Sequence, residues 1–122
     1  MLRWRATPDL YRFLHMPRMT LQTQAVLAVL LERETWGFDL SKESGLPAGT
    51  IYPILQRLTA AGWVTSRWEV AEAAQEEGRP PRRYYALTTE GRARAVNALS
   101  EAAKHRTRLT GLLSPEPRGE QA

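Results

Sequence analysis

The chain has 122 residues, 43% of them hydrophobic and 25% charged, which is the length and balance of one globular domain. It contains no cysteine, so disulfides, thiolate metal sites and a cysteine nucleophile are excluded, and no apolar run approaches the length of a membrane span. The net charge of +4 is concentrated in two windows without acidic residues, Glu43 to Glu69 and Glu77 to Glu90, which hold Arg57, Arg67, Arg79, Arg82 and Arg83 and so form a footprint suited to phosphate.

Residues 1–19 form a basic lead, with Arg3, Arg5, Arg12 and Arg18 against Asp9 alone. Thr7-Pro8-Asp9 has the form of a helix start, with a cap, a proline at the first helical position and an acid in the first turn. The lead is read either as a short helix packed on the domain or a second subunit, or as a flexible basic arm that reaches DNA. The first residues lack the long apolar segment of a signal peptide, and a cytoplasmic protein is expected.

Thr20 can cap a helix running to about Arg33, whose interior Ala25 to Leu31 is apolar nearly all round and must be buried from more than one side. Thr35-Trp36-Gly37 breaks it. Phe38 to Ser44 reads as a short second helix stopped by Gly45, and three residues later a third begins. Helix, tight glycine turn, helix is the form of a helix-turn-helix.

In the third helix Ile51, Ile54, Leu55, Leu58 and Ala61 fall on one stripe, which predicts burial. The opposite side carries Gly49, Tyr52, Pro53, Gln56 and Ala60, flanked by Thr50 and Arg57, and has no carboxylate. Such a face suits a polyanion. Pro53 limits the start of the helix: with Thr50 as cap it lies harmlessly in the first turn, whereas a start near Ala48 predicts a local kink at which Gly49 adjusts.

After Gly62 the period changes. Trp63 to Val70 and Arg82 to Leu87 are rich in β-branched and aromatic residues and predict the two strands of a hairpin, joined by an acidic loop, Ala71 to Glu77, and by Gly78-Arg79-Pro80-Pro81. The prolines are expected to hold Arg79 and Arg82 off the strands, and Gly78-Arg79-Pro80 has the form of peptides that lay arginine in a narrow minor groove. Thr88 or Thr89 caps a last helix, in which Ala95, Val96, Leu99, Ala102, Ala103, Arg106 and Leu109 keep helical spacing up to Gly111. Its apolar face is assigned to a homodimer, because two recognition helices related by a two-fold axis are needed to span DNA. From Ser114 onward a disordered tail is expected.

Competing readings are weaker. Trp36, Trp63, Trp68 and Tyr85 are read as core. His15 and His105 have no companion acidic cluster or cysteine, so neither metal nor cofactor is expected. Ser41-Lys42 and Ser44 imitate a Ser-Lys dyad in composition only, since adjacent helical residues do not face each other, and no enzyme is predicted. A winged-helix module for protein assembly or sequence-independent DNA binding is the alternative; its hallmark is affinity without operator preference.

Gly37-Phe38-Asp39-Leu40, Ser44-Gly45-Leu46, Gly49-Thr50-Ile51-Tyr52-Pro53-Ile54-Leu55-Gln56-Arg57-Leu58, Ala61-Gly62-Trp63-Val64 and Arg79 to Gly91 together resemble the PadR family of bacterial transcriptional regulators, over about Thr20 to Leu113. The resemblance implies a mainly α fold with a small β-hairpin: a winged helix-turn-helix domain over 20–88, a dimerisation helix over 89–113, and repression by operator binding as a homodimer. It makes Thr50, Tyr52, Pro53, Gln56 and Arg57 the recognition face and Arg79, Arg82 and Arg83 the wing, and Lys42 joins the set that binds double-stranded DNA. Aromatic residues near the dimer interface bind planar effectors in this family, which implies a small aromatic effector as a further partner. The family often begins near Met19-Thr20, so residues 1–18 depart from it.

Overall fold

The computed structural model describes residues 16–114; the expected helix start at Thr7-Pro8-Asp9 and the tail beyond Ser114 lie outside the described residues. Helix α1, Leu21–Glu32, is capped by the Thr20 hydroxyl, which accepts from the Thr23 N–H at 3.1 Å, and buries Thr23, Val26, Leu27 and Leu30. Extended backbone at Arg33 ends it, and Thr35–Trp36 form a two-residue strand, β1.

Helix α2, Gly37–Ser44, stops at Gly45, whose φ of 74° lies in the left-handed region that a side chain would resist. The following turn is clasped by serines. Ser41 Oγ donates to the Leu46 carbonyl, and Ser44 Oγ donates to the Leu40 carbonyl at 2.7 Å while accepting from the Leu46 N–H at 3.2 Å. Both hydroxyls are thus used in the turn between helices.

Helix α3 runs Ala48–Ala60, so the later of the two expected starts is set aside and Pro53 stands sixth in the helix. Proline has no N–H for the Gly49 carbonyl, and Gly49 is exposed, where water can satisfy that group. The inner stripe is buried as its spacing requires: Ile51 and Leu58 are fully enclosed, with Ile54 and Leu55 beside them. With Leu27, Leu30 and Leu40 from the other helices they form the centre of the core.

The expected two-stranded hairpin is a three-stranded antiparallel sheet in the order β1-β3-β2, with β2 at Val64–Trp68 and β3 at Arg83–Leu87. Strand β3 pairs Tyr85 with both Thr35 and Ser66, and Tyr84 with Trp36 and Arg67. Two-residue β1 is too short to show periodicity, and it is held by pairing rather than propensity. The expected loop after β2 contains a short helix, α4, Ala71–Glu76, which buries Ala74. Of the tryptophans expected in the core, Trp63 is buried, Trp36 is half-buried, and Trp68 is 63% exposed on the outer strand; Tyr85 is buried as expected.

Helix α5, Thr89–Leu113, passes through Gly111 and is capped by Thr88. The Thr88 hydroxyl accepts from the Gly91 N–H at 2.9 Å and donates to the Gly62 carbonyl at 2.8 Å, while the Thr88 N–H donates to the Trp63 carbonyl at 2.9 Å. Gly91 is pressed against that same carbonyl: a Cβ there would lie 1.9 Å from the Trp63 oxygen. The first half of α5 buries Ala95 and packs Ala98 and Leu99 on the core. In its second half the Arg106 guanidinium donates to Gln24 Oε1 of α1, and beyond that contact Leu109, Leu112 and Leu113 are exposed.

Because the obstacle at Gly91 is backbone on both sides, Gly91→Ala is expected to destabilise the fold by about 3 kcal/mol, despite alanine's helix preference of about 1 kcal/mol over glycine. Thr88→Ala should cost about 1–2 kcal/mol through loss of the cap. Urea unfolding midpoints measure both; an unchanged midpoint for Gly91→Ala would refute the close approach.

Candidate nucleic-acid interface

With its apolar stripe facing inward, α3 presents Tyr52, Pro53, Gln56 and Arg57 to solvent, and Thr50 is half-buried at the edge of that face. No carboxylate lies between Ala48 and Ala60. Lys42 is exposed in the last turn of α2, and neither it nor Arg57 makes an ion pair among the described residues. Tyr52 is 45% exposed and its phenol lies across Gly37, where an added Cβ would come 2.1 Å from Tyr52 Oη. The ring therefore leans on the start of α2 while its edge stays on the outer face.

The five arginines of the acid-free windows do not share one role. Arg67 is paired with Glu34 by two hydrogen bonds of 3.0 and 2.7 Å. Arg33, at the end of α1, binds Asp39 at 2.6 Å, and the Thr35 hydroxyl donates to the same oxygen, so Arg33 first and Thr35 second hold the Asp39 carboxyl below its ordinary range.

The wing is knotted at Glu69. Its carboxylate accepts from Arg79 Nη1 at 2.6 Å and Nη2 at 2.8 Å, and from the Arg82 backbone N–H at 3.2 Å; its own N–H donates to the Arg82 carbonyl at 2.8 Å. Arg79 Nε donates to Glu77 at 2.9 Å, so this arginine already serves two carboxylates and its side chain is only 19% exposed. The expectation that Pro80 and Pro81 hold Arg79 and Arg82 off the strands is corrected: Arg79 turns back to Glu69, and the Arg82 guanidinium lies 4.0 Å from the centre of the Trp36 ring. A bidentate carboxylate outcompetes the extended alternative, because charge-assisted paired hydrogen bonds are stronger than neutral ones. The Arg79 hydrogen bonds lower the Glu69 carboxyl to about 2, against burial, which raises it.

Arg82 and Arg83 are held without carboxylate partners. Arg82 Nε is buried and finds no hydrogen-bond partner among the described residues. Arg83 donates from Nε and Nη2 to Ser66 Oγ at 3.1 and 2.9 Å and stacks 5.5 Å from the centre of the Trp68 ring. Between α3 and the wing lies a concave groove of about 830 Å³, with Trp36, Tyr52, Gln56, Trp68, Arg82 and Arg83 among its walls. Of the expected residues, Tyr52, Gln56, Arg79, Arg82 and Arg83 are thus brought to one groove, while Lys42, Thr50, Pro53 and Arg57 lie outside its lining. Reading from the sequence did not find Trp36, Ser66, Trp68 or Glu69 at this place. Alternation along β2 was the available signal, since Ser66 and Trp68 share one face of the strand.

A helix-turn-helix whose third helix exposes a carboxylate-free face, followed by a two-stranded wing bearing arginines, defines a winged helix-turn-helix, DNA-binding transcriptional regulator. The chain belongs to the transcriptional regulator PadR-like family, whose sequence profile matches residues 26–97. Its members are regulators of transcription rather than enzymes. Similar solved structures include a PadR family transcription regulator from hypervirulent Clostridium difficile R20291, with TM-score 0.67 and 19% identity over 78% of this chain and 100% of that one. A PadR family transcriptional regulator from Eggerthella lenta DSM 2243 has TM-score 0.61 and 27% identity over 78% and 87%. NadR, solved in complex with 4-hydroxyphenylacetate, has the same fold, with TM-score 0.56 and 21% identity over 80% and 65%. No curated protein matches the chain. Among the described residues no helix is long and apolar enough to cross a membrane.

The Glu69 carboxyl titrates near 2 rather than at its ordinary 4.5, so its contribution to stability is fully present above 4.5 and is lost as pH falls from there toward 2. Glu69→Gln should accordingly lower the urea midpoint at neutral pH, and the gap from the wild type should close steadily on acidification from pH 5 to pH 2.5. A gap independent of pH would contradict the ionic role of Glu69.

Proposed function

We propose that the protein is a sequence-specific transcriptional regulator that binds an inverted-repeat operator as a homodimer and represses by occupying it. The observation that carries this reading is the carboxylate-free outer face of α3, set beside two wing arginines that have no carboxylate partner. In it, Gln56 and Arg57 reach base edges in the major groove, and Thr50, Tyr52 and Lys42 meet phosphates, with Pro53 shaping the helix end between them. The wing contacts pass to Arg82 and Arg83, and Arg79 sets the shape of the wing from which they project. Residues 20–88 form the DNA-binding unit. The exposed Leu109, Leu112 and Leu113 support α5 as the dimer element, since a monomer would leave this apolar end of the helix in water. Two recognition helices related by the dimer axis would then lie roughly 34 Å apart, one turn of DNA.

Such a protein works in the cytoplasm, on the nucleoid. Release by a small aromatic effector completes the reading, for which the 4-hydroxyphenylacetate held by NadR is a precedent in the same fold.

Fluorescence anisotropy on operator and random duplexes tests the division of labour. Gln56→Ala is expected to lose about 1–3 kcal/mol on the operator alone, whereas Arg83→Ala weakens both duplexes alike and lowers the salt slope by about 1. Equal losses on both duplexes for Gln56→Ala would remove that residue from base readout. Sedimentation of Leu112→Glu should give a monomer with correspondingly weaker operator binding; a dimer of unchanged strength would move the interface elsewhere.

A further inference from the structure

We infer that Trp36 is a positioning residue for DNA binding: without meeting the duplex itself, its ring holds the Arg82 guanidinium in place beside the recognition helix. The other arginines of the wing have polar anchors, Arg67 on Glu34, Arg79 on Glu69 and Glu77, and Arg83 on Ser66. Arg82 has none. No ion pair or side-chain hydrogen bond reaches its guanidinium among the described residues, and it rests on the Trp36 ring, whose centre is 4.0 Å from Arg82 Cζ. Of its nitrogens only Nε is buried without a partner, which leaves the Nη edge of the fork for a phosphate. A stack on an aromatic face fixes the plane of the guanidinium and keeps those donors free, so the ordering that binding would otherwise impose on a long side chain is already in place. The backbone is fixed separately, by the two hydrogen bonds that Arg82 exchanges with Glu69. Glu69 thus sets where the residue starts, and Trp36 sets where its charge ends.

The place of Trp36 in the chain gives this stack its reach. It is the last residue of β1, opposite Tyr84 of β3, and it directly precedes α2. Its neighbour Gly37 is the residue against which Tyr52 of α3 lies, and the Phe38 ring, centred 5.4 Å from that of Trp36, packs beside it. One corner of the chain, residues 36–38, therefore meets both a side chain of the recognition face and the wing arginine. The position of the wing charge relative to α3 is set at this corner. The inference rests on the functional reading above, in which Arg82 meets phosphate.

A double-mutant cycle on the full chain, read by fluorescence anisotropy on a random duplex over a range of salt, tests it. Arg82→Gln and Trp36→Leu are each expected to weaken binding about tenfold, the loss of one charge-assisted contact, and each to lower the salt slope by about 1. In the Arg82→Gln background Trp36→Leu should then change nothing further, and Trp36→Phe, which keeps a ring under the guanidinium, should bind within about threefold of the wild type. A side chain that only supported the fold would weaken binding in both backgrounds and leave the salt slope alone. Additive losses, an unchanged salt slope or unaltered binding for Trp36→Leu overturns the inference. Circular dichroism checks the fold of every variant. In a second arm without DNA, the Arg82 δ-methylene protons should resonate upfield under the Trp36 ring current, keep that shift in Trp36→Phe and lose it in Trp36→Leu. Absence of the shift in the wild type overturns the stack and leaves the regulator reading standing. A wild type that shows the shift but binds no duplex refutes the regulator reading and the DNA role of Trp36 with it, so the two failures are distinguishable.

Discussion

The arrangement of the whole domain turns on the backbone of Gly62 and Trp63. Here α3 ends, β2 begins, and the first turn of α5 is anchored, all within two peptide groups: Trp63 N–H returns to the Leu58 carbonyl at 2.9 Å, and Thr88 donates to the carbonyls of both residues. Gly91 allows α5 to lie directly on this carbonyl. The axis of α5 is therefore fixed by contacts with the C-terminal end of α3, and the same residues start the wing strand. A helix that emerges from such a junction is tied to the end of α3 without intermediate loops.

Electrostatics then divide the surface. Surface ion pairs contribute little stability individually, but their placement decides which arginines remain available. Glu34 takes Arg67, and Glu69 with Glu77 takes Arg79. What is left toward the groove is Arg82 over Trp36 and Arg83 over Trp68, both presented on aromatic rings rather than on carboxylates. A guanidinium stacked on a ring keeps its full charge and its in-plane donors, so it is oriented without being neutralised. The acidic segment between the strands thus shapes the wing through Glu69 and Glu77 and leaves the charge of its outer arginines intact.

The sequence made the helical frame legible because each helix carries its own signal. Thr20 and Thr88 cap, Gly45 stops, and the stripe from Ile51 to Leu58 has one period. What stayed hidden depends on partners distant in the chain. Strand β1 has only Thr35 and Trp36, and it exists because Tyr84 and Tyr85 pair with it. Helix α4 has no side-chain cap and buries one alanine, so its composition reads as loop. The exposure of Trp68 follows from its position on an outer strand, where hydrophobicity argued for burial. The candidate site divides in the same way: the outer face of α3 was visible from helical spacing, whereas the pairing of Arg79 with Glu69, ten residues apart across the wing, required the folded strands.

The measurement that bears most directly on the central claim is fluorescence anisotropy of the unmodified protein with a duplex from the upstream region of its own gene, against a scrambled duplex, over a range of salt concentrations. Recognition by α3 with the wing arginines as phosphate contacts predicts a preference of about a thousandfold or more for the upstream duplex, which persists while both affinities fall with salt. Equal and steeply salt-dependent binding to the two duplexes, or no binding to either, would contradict it.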